Sequence, residues 1–353
     1  MAAPSISVLI DAFNYGHFIE QAIDSVLAQD FPFERREILV VDDGSTDNTF
    51  ERVKKYGNAI RYFRKPNGGQ ASAFNFGFEH ACGDIIALLD ADDVWLPQKL
   101  RRIAEAFEQD PEAGMVYHRT HLWREDGSLE DDGYFVEVSG RVPESRASLL
   151  RYAMIGTSCL AFRRSILEKL LPVPETLRSQ ADAYLTALVI FVAPICAVPE
   201  FLAKYRLHGA NLFQTNGDIP PPSVLQNRIA MRQSLLTEIR GWLECNHHDS
   251  NSRNLRAYLK QWTKAVELDQ FALHSPGRWK YFRHLFEYPL IYREIMSTRH
   301  RLYSYLRAFS ALILGYDHLH LLDDFRESYK ELFSHSLGDG LPAEERKHAA
   351  AKG

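Results

Sequence analysis

Three carboxylates, Asp90, Asp92 and Asp93, stand within four positions at the end of the apolar run in "DIIALLDADDVW", residues 84 to 95. Like charges that close repel one another and raise the cost of ionising any of them. A cation would relieve that cost. Hard divalent cations such as Mn²⁺ and Mg²⁺ take oxygen ligands, commonly one or two carboxylates together with substrate phosphates. The cluster therefore points to Mn²⁺ or Mg²⁺ holding a diphosphate. The competing reading is that these aspartates cap the following helix or form an Asx turn. Asp11 in "LIDAFNYGHF" and Asp42 and Asp43 in "VVDDGSTD" follow apolar runs in the same way. Asp47 stands before a helical pattern and reads as its cap.

The elements that must position these residues alternate between two periodicities. Ile6–Ile10, Ile38–Val41, Ile60–Phe63 and Ile85–Leu89 are short apolar runs that predict strands, with helical spacing at Phe18–Leu27, Gln70–Ala81 and Lys99–Phe107 between and after them. Continuous apolar strands alternating with helices predict a mostly parallel sheet flanked by helices, an α/β fold. In open sheets of this kind ligands sit in the crevice at the carboxyl ends of the strands, which is where Asp11, Asp42, Asp43 and Asp90 fall. From Gly114 the pattern is mixed: strands are expected at Met115–Trp123, Tyr134–Val138, Ser158–Phe162 and Ile195–Leu207, with a helix at Asp182–Phe191. The breaker-rich "NGDIPPPS", residues 216 to 223, sets a boundary. It separates a domain over 1–220, with halves at 1–110 and 111–220, from a helical region over 221–353 with a frayed tail.

Composition narrows the function. With 46% apolar and 25% charged residues and a net charge of -5, the 353-residue chain has no basic field that would mark a nucleic-acid binder. The N-terminus lacks the basic and apolar pattern of a secretory leader, and no run reaches the roughly 18 apolar residues that span a bilayer. Cys82, Cys159, Cys196 and Cys245 are scattered without CxxC spacing, against a disulfide framework or a zinc cluster. Together these predict a cytoplasmic protein. No GxGxxG or GxxxxGK[ST] follows the first strand, so neither a dinucleotide site nor a P-loop is expected. "CNHHDSN", residues 245 to 251, reads as a polar loop.

Four ordered blocks carry a resemblance: "ISVLIDAFNYGHFIEQAIDSVLAQDF", "EILVVDDGSTDNT", "KPNGGQASAFNFGFEHACGD" and "IIALLDADDVWLPQKL". Together they resemble the family 2 glycosyltransferases with a GT-A fold, nearly continuously from residue 5 to 105, more loosely to 215, and not beyond. The resemblance implies transfer of a sugar from a nucleotide-sugar donor to a glycan or lipid-linked acceptor. It places Asp11, Phe13 and Asp43 at the nucleobase, Asp92 at the ribose, Gly69 and Gln70 in a loop near the donor, and Asp93 and Asp90 at the metal. Uridine is the preferred base, since Asp43 can accept the uracil imide N–H; thymine presents the same edge. Phe13 as a core aromatic is the alternative, and Asn75 and Gly77 are read as helix packing.

The family's inverting members draw their base from a Glu-Asp pair. Here "SQADAYLTAL" supplies Asp182 as the base and has Ala181 where the glutamate would be. "KYRLHGANL" resembles a further family segment and makes His208 a metal-site candidate, with Arg206 in electrostatic support. The loss of the glutamate leaves a non-catalytic binding module of the same fold as a rival, and a sugar nucleotidyltransferase as a lesser one. The basic, aromatic stretch at residues 278 to 309 makes the C-terminal helices candidates for contact with the inner face of a membrane, or for a homodimer.

Overall fold

The computed structural model describes residues 4–131, 135, 137–143, 156–208, 211, 221–249 and 252–274, with single helical positions at 282, 286, 305, 306, 308, 309 and 313. The first part of the chain forms β1 (Ile6–Ala12), α1 (Ile19–Leu27), β2 (Arg36–Asp42), α2 (Thr49–Val53), β3 (Arg61–Arg64), α3 (Gln70–His80) and β4 (Ile85–Asp90). The two-residue β5 (Val94–Trp95) and α4 (Lys99–Gln109) follow. Then come β6 (Met115–Trp123), β7 (Leu129–Asp131), β8 (Leu160–Arg163), α5 (Arg164–Leu167), α6 (Ala181–Val192), β9 (Ile195–Arg206), α7 (Pro222–Cys245) and α8 (Arg253–His274).

The strands form one nine-stranded sheet in the order β3-β2-β1-β4-β8-β6-β9-β5, with β7 beside β6. β3, β2, β1 and β4 are mutually parallel, and β8 enters antiparallel to β4. Strand order reverses direction at β1, because the chain winds out to β3 and returns on the other side as β4. That reversal opens a crevice between the carboxyl ends of neighbouring strands. Register places Asp11 beside Asp90 across the β1–β4 pair.

The period of two along each strand sorts side chains between two cores. Ile6, Val8 and Ile10 of β1, Ile38 and Val40 of β2, and Ile85 and Leu89 of β4 pack on one face with residues of α1 and α4. Leu9, Leu39, Val41, Ile86 and Leu88 pack on the other, with residues of α3, α6, α7 and α8. Asp11 and Asp90 continue the second series, so they stand on the face that α6 covers. Burial of these apolar strands is the main stabilising term, about 25 cal/mol for each Å² removed from water.

Two elements differ from the sequence expectation. Of the expected Tyr134–Val138 strand, Tyr134 and Val136 lie outside the described residues and Phe135, Glu137 and Val138 lie in no strand; β7 forms instead at Leu129–Asp131, between the two expected strands. β6 runs over Met115–Trp123 as expected, and the tight turn at Asp126–Gly127 folds the chain back into β7: Gly127 adopts φ +85° and its N–H reaches Arg124 O, which closes the hairpin. Val138 is held by a side chain rather than a ladder, exchanging hydrogen bonds with the Tyr117 hydroxyl at 2.9 and 3.2 Å. β8 also begins late, at Leu160, after a 3₁₀ turn at Thr157–Cys159.

The chain divides into two compact units, Met1–Gln214 with Pro221–Gln270, and Thr215–Pro220 with Phe271–Gly353. α7 and most of α8 thus share a unit with the sheet. The basic stretch at 278–309 lies almost wholly outside the described residues. No helix among the described residues is long and apolar enough to cross a membrane, and none of the four cysteines is in a disulfide among the described residues.

Candidate active site

Where β4 ends, the "DADD" loop gathers one carboxylate oxygen each from Asp90, Asp92 and Asp93 within 4.8 Å of one another. Asp93 is 1% exposed; its Oδ1 accepts the Arg206 N–H at 2.9 Å, and its Oδ2 has no hydrogen-bond partner among the described residues. A buried, unpaired carboxylate oxygen is costly, and burial followed by the charge of Asp92 holds the Asp93 carboxyl well above the usual range. Asp90 is pushed up likewise, by burial first and then by Asp11 and Asp92. Asp11 rises to about 7, chiefly by burial, with the charges of Asp92 and Asp182 adding to it, and its Oδ1 is also unpaired. The donors are all hard oxygens, and a divalent cation is the group that would satisfy them.

Arg206 and His208 brace this cluster from the end of β9. The Arg206 guanidinium lies between the Phe18 ring, 4.4 Å away, and the Trp123 ring, 4.0 Å away. It donates to Asp92 O at 2.7 Å and to Gln21 Oε1 at 2.7 Å. His208 Nε2 lies 3.0 Å from Asp92 Oδ2. His208 therefore meets the cluster through Asp92, and is not one of the three carboxylates that share the 4.8 Å site.

Asp43, at the end of β2, has a different environment. Its Oδ1 accepts from Lys65 Nζ at 2.7 Å and from Gly68 N at 2.9 Å, and its Oδ2 accepts from Gly69 N at 2.6 Å. This carboxylate fastens the loop that opens α3. Gly69 is fixed there for two reasons: it has φ +88°, and a Cβ would stand 2.5 Å from Arg178 Cα. Asp42 belongs to the opposite face, where it accepts from Ser45 N and from the Tyr62 hydroxyl.

Asp47 accepts from Thr49 N and from Gly16 N, each at 2.9 Å; the N-cap position of α2 is Asn48, so Asp47 closes an Asx turn one residue ahead of it rather than standing at the expected cap. Phe13 is 45% exposed, which removes the core reading. Asn75 exchanges hydrogen bonds with the Val173 backbone, and a Cβ on Gly77 would meet Leu9 at 2.3 Å, so both serve helix packing.

Asp182 starts α6. Its Oδ1 takes the Ala183 N–H at 2.8 Å and its Oδ2 takes the Thr157 hydroxyl at 3.2 Å. Burial raises its pKa, against those hydrogen bonds. Its charge helps to raise the carboxyls of Asp11 and Asp90, so it stands near the crevice they line. Gln70 does not stand free in the donor loop: its amide bonds to Thr157 Oγ1 and to Ala181 N.

Several residues near the site carry no recognisable sequence signal. Lys99 is fully buried, 3.7 Å over the Trp95 ring, and donates to Ser158 O; burial pushes its ammonium down. Ser158 Oγ accepts from Asp90 N. Tyr15 is pushed up by burial and then by the charges of Asp92 and Asp90. Helical periodicity reads Lys99 as a polar surface residue, and only the β4–β8 pairing brings Ser158 under Asp90.

The site thus brings strand-end carboxylates together at a switch point, with a further carboxylate at the start of α6. The Glycosyl transferase family 2 profile matches residues 7–171. An uncharacterized glycosyltransferase of Nostoc sp. is 37% identical over 217 residues, 58% of this chain and 66% of that protein. One from Rickettsia typhi is 30% identical over 219 residues, 60% of this chain and 67% of that protein. The chain belongs to glycosyl transferase family 2. It covers about two thirds of these relatives' own length.

Among solved structures, S. aureus TarS 1-349 in complex with UDP is similar with TM-score 0.57 and 18% identity, over 92% of each chain. The mannosyltransferase PcManGT of Pyrobaculum calidifontis, in complex with GDP-Man and Mn2+, gives 0.53 and 21%, over 94% of this chain and 88% of that one. These likenesses show the fold, which is of the expected GT-A type.

Proposed function

We propose that this chain transfers a glycosyl group from a nucleotide-diphosphate sugar to an acceptor hydroxyl, with inversion at the anomeric carbon. The observation that carries the reading is the cluster of half-buried Asp90 with buried Asp92 and Asp93, whose Asp93 Oδ2 has no hydrogen-bond partner among the described residues, with Asp182 close enough to act on Asp11 and Asp90. Asp90, Asp92 and Asp93 would hold Mn²⁺ or Mg²⁺, which when bound neutralises charge developing on the diphosphate. His208 and Arg206 keep Asp92 and Asp93 in place. Phe13, Asp11, Asp43 and Gly69 line the nucleotide's side of the crevice. Asp43 retains lone pairs for one more donor, since a carboxylate offers about four acceptor sites. A uracil imide N–H fits that vacancy, and UDP is the preferred donor nucleotide.

Asp182 takes the proton of the acceptor hydroxyl, and the hydroxyl oxygen bonds to the anomeric carbon. The carbon–oxygen bond to the diphosphate breaks, and its electron pair leaves with the nucleotide. Burial that raises the Asp182 pKa improves it as a base, while the Thr157 and Ala183 hydrogen bonds keep it ionised. The acceptor we infer is a glycan or lipid-linked glycan. The seven Arg and Lys residues between Arg278 and Arg307, with exposed Leu306 and Phe309, support contact with an anionic membrane surface.

The test is release of nucleoside diphosphate from UDP-glucose, UDP-N-acetylglucosamine and GDP-mannose, with Mn²⁺ or with EDTA. Metal-dependent release supports transfer. Pyrophosphate as the product would instead mark a nucleotidyltransferase, and tight binding without turnover a binding module. Failure to sediment with anionic vesicles would remove the membrane contact.

A further inference from the structure

Gln70 sits one residue after the loop that Asp43 fastens, and Thr157 lies in the 3₁₀ turn before β8. Both side chains meet at α6. Gln70 Oε1 is 2.9 Å from Ala181 N, Gln70 Nε2 is 3.3 Å from Thr157 Oγ1, and Thr157 Oγ1 is 3.2 Å from Asp182 Oδ2. The direction of this chain is fixed by chemistry. A backbone N–H can only donate, so the amide oxygen faces Ala181 and the amide nitrogen must face Thr157. The Thr157 hydroxyl accepts that N–H, which leaves its own hydrogen for Asp182. Thr157 is 2% exposed, so no solvent competes for the hydroxyl.

We propose that Gln70 and Thr157 are positioning residues that aim the Asp182 carboxylate and tie its setting to the donor loop. The proposal rests on the reading of Asp182 as the base. With Oδ1 taken by Ala183 N–H and Oδ2 by Thr157, both oxygens are held by donors, and rotation of the carboxylate would break at least one bond. Position 181 is alanine, and its bare N–H engages Gln70. Movement of Gly69, which bonds to Asp43, is thereby transmitted to the base through the next residue. Two backbone bonds run beside the link, from Gln70 N to Arg178 O and from Ala71 N to Leu177 O. They hold α3 against the α6 entry when the Gln70 amide is removed, so the side-chain effect can be isolated.

The experiment uses the full chain with Thr157→Val, Thr157→Ser, Gln70→Leu and Asp182→Asn. Initial rates of nucleoside diphosphate release are read with UDP-glucose, UDP-N-acetylglucosamine and GDP-mannose in Mn²⁺, and a crystal structure of Thr157→Val is determined. Loss of aim by about 1 Å costs on the order of 10²-fold, so Thr157→Val should lower kcat by roughly 10- to 100-fold with donor KM unchanged. Thr157→Ser should restore most of the loss, and the crystal should show the Asp182 carboxylate turned from its native position. Gln70→Leu should lower kcat without changing donor KM. Thr157→Val at the wild-type rate, or an Asp182 carboxylate unmoved in its crystal, overturns the link. So does Gln70→Leu acting on donor KM alone, which would make Gln70 a donor contact. Asp182→Asn at the wild-type rate refutes the base itself; Asp182→Asn inactive beside a fully active Thr157→Val refutes only the link. Should no donor in the panel turn over, the crystal decides.

Discussion

The ends of β2 and β4 carry the same kind of residue on the same face of the sheet, and the protein treats them in opposite ways. Asp43 is met by an ammonium and two backbone N–H groups, so its charge is balanced within the fold. Asp90 is surrounded by the carboxylates of Asp11, Asp92 and Asp93, and Asp93 stands beside Asp92; burial first, then those charges, drives both toward the protonated form, against the Arg206 N–H and charge at Asp93. One carboxylate builds a loop, and the other group is left short of positive charge. The difference teaches that the same residue type at a strand end can be balanced within the fold, as at Asp43, or left with its carboxyl held well above the usual range, as at Asp90 and Asp93.

The largest effect should come from the chemistry that faces this contrast. Asp182→Asn keeps the shape and removes the base, and should lower kcat on the order of 10²- to 10⁴-fold in the nucleotide-release assay. Asp43→Ala breaks the balanced end: it leaves the Lys65 ammonium, 14% exposed, without its partner, and should cost about 3 kcal/mol or more in urea unfolding. Gly69→Ala attacks the same loop through sterics at φ +88° and should cost about 1–3 kcal/mol by the same measurement.

The unbalanced end should show itself through pH. Asp11 has an ordinary value of 3.8 and stands at about 7 in the folded chain. Between those values the folded state holds a proton that the unfolded chain has released, so this group lowers stability progressively as pH rises from about 4 to about 7. Asp11→Asn removes that dependence. In EDTA its melting temperature should gain on the wild type by a few degrees, about, as pH rises across the window, and keep pace with it below pH 4. A flat difference would mean that burial and the acidic neighbours do not raise Asp11.

Much of this was legible from residue order, and the reasons are local. Strand runs such as Ile85–Leu89 announce themselves by apolar continuity, and "DADD" by charges that no strand tolerates in its interior. The resemblance extended that reading to Asp182 and His208. What stayed hidden depends on pairings distant in sequence. The Tyr134–Val138 expectation followed a hydrophobic signal that belongs to packing, since Phe135 and Val138 lie against the core without joining the sheet. Lys99 carries a residue type usually exposed, and only the fold puts it beneath Ser158. Gln70 and Thr157 are separated by 87 positions, so no spacing rule could link them to Asp182.

Calorimetric titration of the purified chain with UDP, dTDP, GDP and CDP, each in Mn²⁺ and in EDTA, tests the central claim most directly, with Asp93→Ala as the comparison. The account predicts that one nucleoside diphosphate binds only with the metal, and that Asp93→Ala abolishes the binding while the protein stays folded. Binding that ignores EDTA, or survives in Asp93→Ala, would contradict it and return the β4 aspartates to a structural role.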